Sequence, residues 1–224
     1  MSALAPAPTS VRHPLPQALL VLTFTTGIVD AVSFLSLGNV FTANMTGNVV
    51  LLGFGIAGSA GLPIAAPFAS FGAYTLGAIA GGRVARRIEK ERLLATALAI
   101  EVVLLAATAV IAVTATITPG TAAAYVLIIL LAFVMGLRSA CIRRLGASDI
   151  STVVLTMLLV DLASESRFAG GTGVGTVRRA SAVVLMGAGA LAGALLLRVD
   201  VALPIAIAAG LALVTREAYR TYSR

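Results

Sequence analysis

The sequence predicts an all-α, polytopic membrane helix bundle, and three observations carry that expectation. Hydrophobic residues make up 59% of the 224 and charged residues 11%, with a mean hydropathy of +1.03. Soluble domains run at roughly 45–50% apolar and about 25% charged. Apolar runs close to the ~20 residues that a spanning helix needs recur along the chain. Lys and Arg fall in short clusters between those runs, which is how a polytopic protein records its orientation. The formal net charge of +7 therefore does not point to nucleic acid, because no basic stripe interleaves with aromatics.

The elements follow in chain order. Residues 1–16, with proline at 6, 8, 14 and 16 and the lone histidine His13, form a leader expected to be disordered. The run 17–37 contains Asp30, exceeds a signal-peptide core and leads into more apolar sequence, so it reads as a retained membrane helix. Further spans are expected at 62–82, 93–117, 121–138, 179–198 and 200–216, giving one transmembrane domain over 17–217 and a cytoplasmic tail at 218–224. Two weaker apolar stretches, 40–57 and 150–164, are expected to be re-entrant or broken helices. "GGTGVG", 170–175, lacks a P-loop lysine and a preceding strand and reads as a linker.

Charge placement decides the count of crossings. If all eight segments crossed, the cluster Arg83 to Arg92 and the pair Arg178 and Arg179 would lie on opposite sides. If the two weak segments dip and return, six helices cross and both termini and all the large basic clusters are cytoplasmic, including Arg138, Arg143 and Arg144. A seven-span alternative, with 40–57 crossing and an external N-terminus, misplaces only Arg12.

The halves also echo each other. Gly27 to Ala31, Thr46 and "GAIAG" from Gly77 to Gly81 are followed later by Gly136 to Ala140, Thr156 and "GALAG" from Gly189 to Gly193. Three spans per copy make the copies, 17–117 and 121–216, an inverted 3+3 repeat of the kind found in secondary transporters. The paired glycines also serve close helix packing whatever the function.

"FTANMTGN", residues 41–48, sets four polar side chains inside apolar sequence. Irregular backbone at membrane depth must face protein or a water-filled cavity. Asp30, Asn44, Thr46 and Asn48, with Ser139 and Thr156 at the matching places of the second half, are the candidate binding residues for a small solute, an ion or a proton. An intramembrane acid is costly and usually faces a cavity or a partner. Asn44 and Asn48 are four apart, a spacing that puts both on one face of a helical turn. Glu101 is expected to snorkel toward the basic loop, and Asp161 to pair with Arg167 or Arg144. Nothing points to an enzyme, a cofactor or a metal site: Cys141 is the single cysteine, and the single histidine in the leader leaves no catalytic triad.

At "TGIVDAVSFLSLGNVFTANMTGNVVLLG", residues 26–53, and "MGLRSACIRRLGASDISTVVLTMLLVDLASESR", residues 135–167, the chain resembles the YoaK-type small integral membrane proteins, a bacterial family without an assigned activity. The resemblance implies a multi-pass inner-membrane protein and leaves the substrate open. It also implies Asn where this chain has Ser139 and Gly where it has Asp161. Two functions fit these expectations: a small secondary transporter with its site between the two dips, or a non-transporting scaffold or partner subunit in the bilayer whose polar groups only fix packing.

Overall fold

The computed structural model describes residues 14–59, 61–146 and 155–222, and among them the regular structure is entirely helical. The helices are α1 (Pro14–Ser36), α2 (Met45–Ile56), α3 (Ala65–Arg87), α4 (Lys90–Thr114), α5 (Ala122–Arg144), α6 (Leu155–Ser164), α7 (Thr176–Leu196) and α8 (Ala202–Tyr222), with a 3-10 turn at Arg167–Ala169. Helix α1 begins inside the expected leader, because proline in a first turn loses no hydrogen bond that an interior residue would make. At the other end α8 continues into the expected tail, and residues 1–13 and 150–154 lie outside the described residues.

Among the described residues five helices, α1, α4, α5, α7 and α8, are both long and apolar enough to cross a membrane. The sixth expected span, α3, has 23 residues and the length to cross, but its glycines, alanines and terminal arginines dilute its hydropathy. At 1.5 Å per residue the 12 residues of α2 extend about 18 Å and the 10 of α6 about 15 Å, short of a ~30 Å hydrocarbon core.

Glycine decides which helices touch most closely. A Cβ on Gly77 or Gly136 would overlap the carbonyl oxygen of Phe133 or Tyr74, so α3 and α5 meet backbone to backbone. Gly27 and Gly189 do the same for α1 and α7, against Met186 and Phe24. In both pairs the contacts advance together along the two chains, so each pair is parallel. Gly81 and Gly193 extend the two seams by one turn, against Leu137 and Ile28.

Core clusters give the remaining directions. Ala18, Leu19 and Leu22 of α1 pack with Leu94 and Leu98 of α4, Ile142 of α5 and Tyr219 of α8. Ala85 of α3 joins Leu93, Ala97, Leu137 and Cys141 at the same level. Helices α1, α4 and α7 therefore start, and α3, α5 and α8 finish, at one end of the bundle. The basic residues at the ends of α3, α5 and α8 and at the starts of α4 and α7 collect there. The other end holds the links after α1, before α3, between α4 and α5 and between α7 and α8, above a core that includes Val32, Leu37, Leu105, Leu127 and Ile205.

Arg138 departs from the expected cytoplasmic cluster. Helix α5 runs on to Arg144, so Arg138 lies inside it and is 2% exposed, with its guanidinium 2.6 Å from the fully buried Glu101 carboxylate. Glu101 does not snorkel: it sits about 16 Å along α4 from Lys90, beyond reach of the basic loop.

Candidate functional site

The link between α1 and α2 is built from the opening motif. Gly38 (φ 114°) and Asn39 (φ 54°) take left-handed backbone and reverse the chain after α1, which lays 40–44 back along the helix it has just left. Phe41 stacks on Phe34 with ring centroids 4.8 Å apart. Asp30, one turn before Phe34, accepts the backbone N–H groups of Thr42 (3.0 Å) and Ala43 (2.9 Å) on its Oδ1, with the Thr42 hydroxyl at 3.5 Å. All of its hydrogen bonds go to that one oxygen, and Oδ2 takes none from the described residues.

Asn48 and Asn44 act separately. Helix α2 starts only at Met45, so Asn44 is its cap, accepting Gly47 N–H at 3.3 Å, and the two amides do not share a helical face. Asn48 is fully buried. Its Oδ1 accepts Phe41 N–H (2.9 Å), and its Nδ2 donates to the Phe41 carbonyl (2.7 Å) and to Ser70 Oγ of α3 (3.2 Å). Ser70 donates to the same Phe41 carbonyl at 2.6 Å. The donors to Asp30 are thus chiefly backbone amides and not the side chains of Asn44 or Asn48.

Beside Asp30 lies a cavity of about 450 Å³ lined by Thr26, Asp30, Asn44, Thr46, Tyr74 and Thr156, among others. Four of the six sequence-predicted residues, Asp30, Asn44, Thr46 and Thr156, therefore share one space. Thr46 comes from α2, entering from one end of the bundle, and Thr156 from α6, entering from the other. The remaining two do not line it: Asn48 turns toward Ser70, and Ser139 stays half-buried on α5. Asp161 forms no ion pair among the described side chains; Arg144 is exposed, and the Arg167 side chain, the other expected partner, lies outside the described residues.

Below the cavity runs a second polar layer that the sequence reading missed. Arg138 Nη1 donates to Glu101 (2.6 Å) and to Thr25 Oγ1 (3.3 Å), and its Nη2 donates to Thr26 Oγ1. Thr26 is thus shared, with one side on the cavity and its hydroxyl on the buried ion pair. Glu101 Oε2 has no hydrogen-bond partner among the described residues. The available signal was that apolar sequence continues past Arg138 through Ser139, Ala140, Cys141 and Ile142, so the helix could not have ended there.

Over residues 18–216 the chain matches the family described as a protein of unknown function (DUF1275). It belongs to that family. This DUF1275 member is 34% identical over 150 residues to the UPF0700 transmembrane protein YoaK of Bacillus subtilis (strain 168), a match that covers 66% of this chain and 65% of YoaK. No solved structure matches the DUF1275 chain. It is accordingly a multi-pass membrane protein of an uncharacterised family.

Proposed function

We propose that the protein is a small secondary transporter, with no enzymatic step, that carries a small solute or ion through the cavity at Asp30. The observation that carries this reading is a carboxylate whose one oxygen is held by two backbone amides while the other, beside that cavity, takes no hydrogen bond from the described residues.

The architecture belongs to the same reading: six crossing helices in a bacterial inner membrane, an inverted 3+3 repeat, and both termini in the cytoplasm with the basic end of the bundle. Supporting the repeat, Phe24, Gly27, Ile28 and Ala31 correspond to Phe133, Gly136, Leu137 and Ala140 at one constant offset in sequence. Tyr74, Gly77, Ala78 and Gly81 correspond to Met186, Gly189, Ala190 and Gly193 at another. Corresponding helices run in opposite directions, as an axis lying in the membrane plane requires. Because α1 ends and α3 starts at the same end of the bundle, the 40–57 segment favours a dip over a seventh crossing.

The scaffold reading has one observation in its favour, the closed set of hydrogen bonds among Asn48, Phe41 and Ser70, which serves packing alone. Asp30→Asn and Asp30→Ala separate the two. The Asn variant keeps an acceptor for Thr42 and Ala43 and is expected to fold as wild type while losing uptake in a proteoliposome screen of small solutes under a pH gradient. If wild-type liposomes take up nothing above empty ones, and the Asn variant matches wild type in thermal stability while only the Ala variant loses it, Asp30 serves packing and the transporter reading falls.

A further inference from the structure

We propose that the cavity takes a small organic cation, a protonated primary amine, with its ammonium group on Asp30 Oδ2. The inference rests on the reading of Asp30 as a ligand-binding residue and names the class of ligand.

Charge comes first. Among the described residues Asp30 is the one acidic or basic side chain that lines the cavity. The nearest buried cation, Arg138, does not line it and already has its own counter-charge in Glu101 at 2.6 Å. An anion entering here would meet a carboxylate with no cation lining the cavity among the described residues, whereas a monocation would neutralise it.

Hydrogen-bond geometry comes second. An ionised carboxylate only accepts, at both oxygens, and the pair of amides from Thr42 and Ala43 occupies Oδ1. Oδ2 then calls for a donor, and a charged N–H makes the stronger kind of bond to it. An ammonium group has three donors. The hydroxyls of Thr46 and Thr156 and the Asn44 side-chain Oδ1, which accepts the Gly47 N–H, supply acceptors on the same cavity.

Size and surface come third. A volume of about 450 Å³ lies within the range of small organic ligands, roughly 300–1,000 Å³, and far exceeds the ~30 Å³ share of a single water. Met45, Met186, Val50 and Tyr74 give the rest of the wall, adaptable thioether and aromatic surface suited to a short carbon stem near a positive charge.

The test uses the full chain purified in detergent and calorimetric titration with n-butylammonium, sodium butyrate, 1-butanol and sodium chloride. Butylammonium should bind at least about tenfold more tightly than butyrate, butanol or sodium, the margin of one charged hydrogen bond. Asp30→Asn should keep the elution volume and helical circular dichroism of wild type and lose that preference. Should Asp30→Asn fail to fold, Thr46→Val, on a residue exposed to the cavity, should weaken butylammonium several-fold and leave the protein intact. Equal or tighter binding of butyrate, butanol or sodium, no butylammonium binding at millimolar concentration, or affinity unchanged in a folded Asp30→Asn or in Thr46→Val overturns the proposal. Butylammonium that binds but is not taken up by proteoliposomes sinks the transporter reading and leaves the cation site standing. Uptake of anionic or neutral solutes without ammonium binding does the reverse.

Discussion

Asn48 replaces a missing stretch of secondary structure with one side chain. Phe41 lies where neither α1 nor α2 can satisfy its backbone, and the Asn48 carboxamide meets both its N–H and its carbonyl. Asn48→Ala should therefore leave the Phe41 N–H unmet in the bundle, while Ser70 Oγ still donates to the Phe41 carbonyl, and should destabilise the protein by about 1–3 kcal/mol. Asn44→Ala removes a single exposed cap and should cost about 1 kcal/mol or less. Thermal unfolding in detergent, followed by loss of helical signal, ranks the two, and a larger loss for Asn44→Ala would contradict the assignment. Polarity against an apolar background made Asp30, Asn44, Thr46 and Thr156 legible as candidates before any geometry. Their division of labour was not legible, because the spacing of Asn44 and Asn48 signals a shared face only if a helix runs through both. Nor did anything in the pattern mark Met45, Tyr74 and Met186, ordinary apolar residues brought to the cavity by tertiary packing.

Among the elements, the glycine seams fix which helices move as one. Gly136 sits against the α3 backbone at Tyr74 and Ala78, leaving no room for a methyl group. Gly136→Ala should force α3 and α5 apart and cost about 1–3 kcal/mol, the usual range for overpacking. Gly53 offers the control: it is helical, its missing Cβ would meet nothing within 4 Å, and Gly53→Ala should be neutral or stabilising by up to about 1 kcal/mol. The same unfolding assay reads both, and a Gly136→Ala variant as stable as wild type would contradict the backbone contact. Hydrophobic length found every long helix but set the ends of α3, α5 and α8 five or six residues too early. It failed where a charge stood in for a boundary, at Arg138, because a guanidinium paired inside the bundle and one in a basic loop look alike in a linear sequence.

At the scale of the whole molecule, the two ends of the bundle differ in charge, and that difference is testable. In a Cys141→Ala background, a single cysteine at Thr118, in the link between α4 and α5, should react with an impermeant thiol reagent added outside intact cells. One at Glu89, in the link between α3 and α4, should react only after permeabilisation. Labelling of Glu89 from outside would reverse the proposed orientation, and labelling of both links from one side would mean that α4 does not cross.

The buried pair of Glu101 and Arg138 has a consequence for how the chain enters the bilayer in the first place. Its members stand on consecutive helices, joined by residues 115–121. Taken singly, a charged residue near the middle of a nascent segment opposes insertion by about 2.5–3.5 kcal/mol. Leaving the translocation machinery as a hairpin, α4 and α5 would present each other's counter-charge within one insertion step, so biogenesis is expected to proceed by pairs of segments at this point of the chain. A glycosylation-tagged α5 translated without α4, or after α4 carrying Glu101→Leu, should integrate into microsomes less efficiently than the native hairpin. Equal integration in all three would mean that α5 carries Arg138 across unaided.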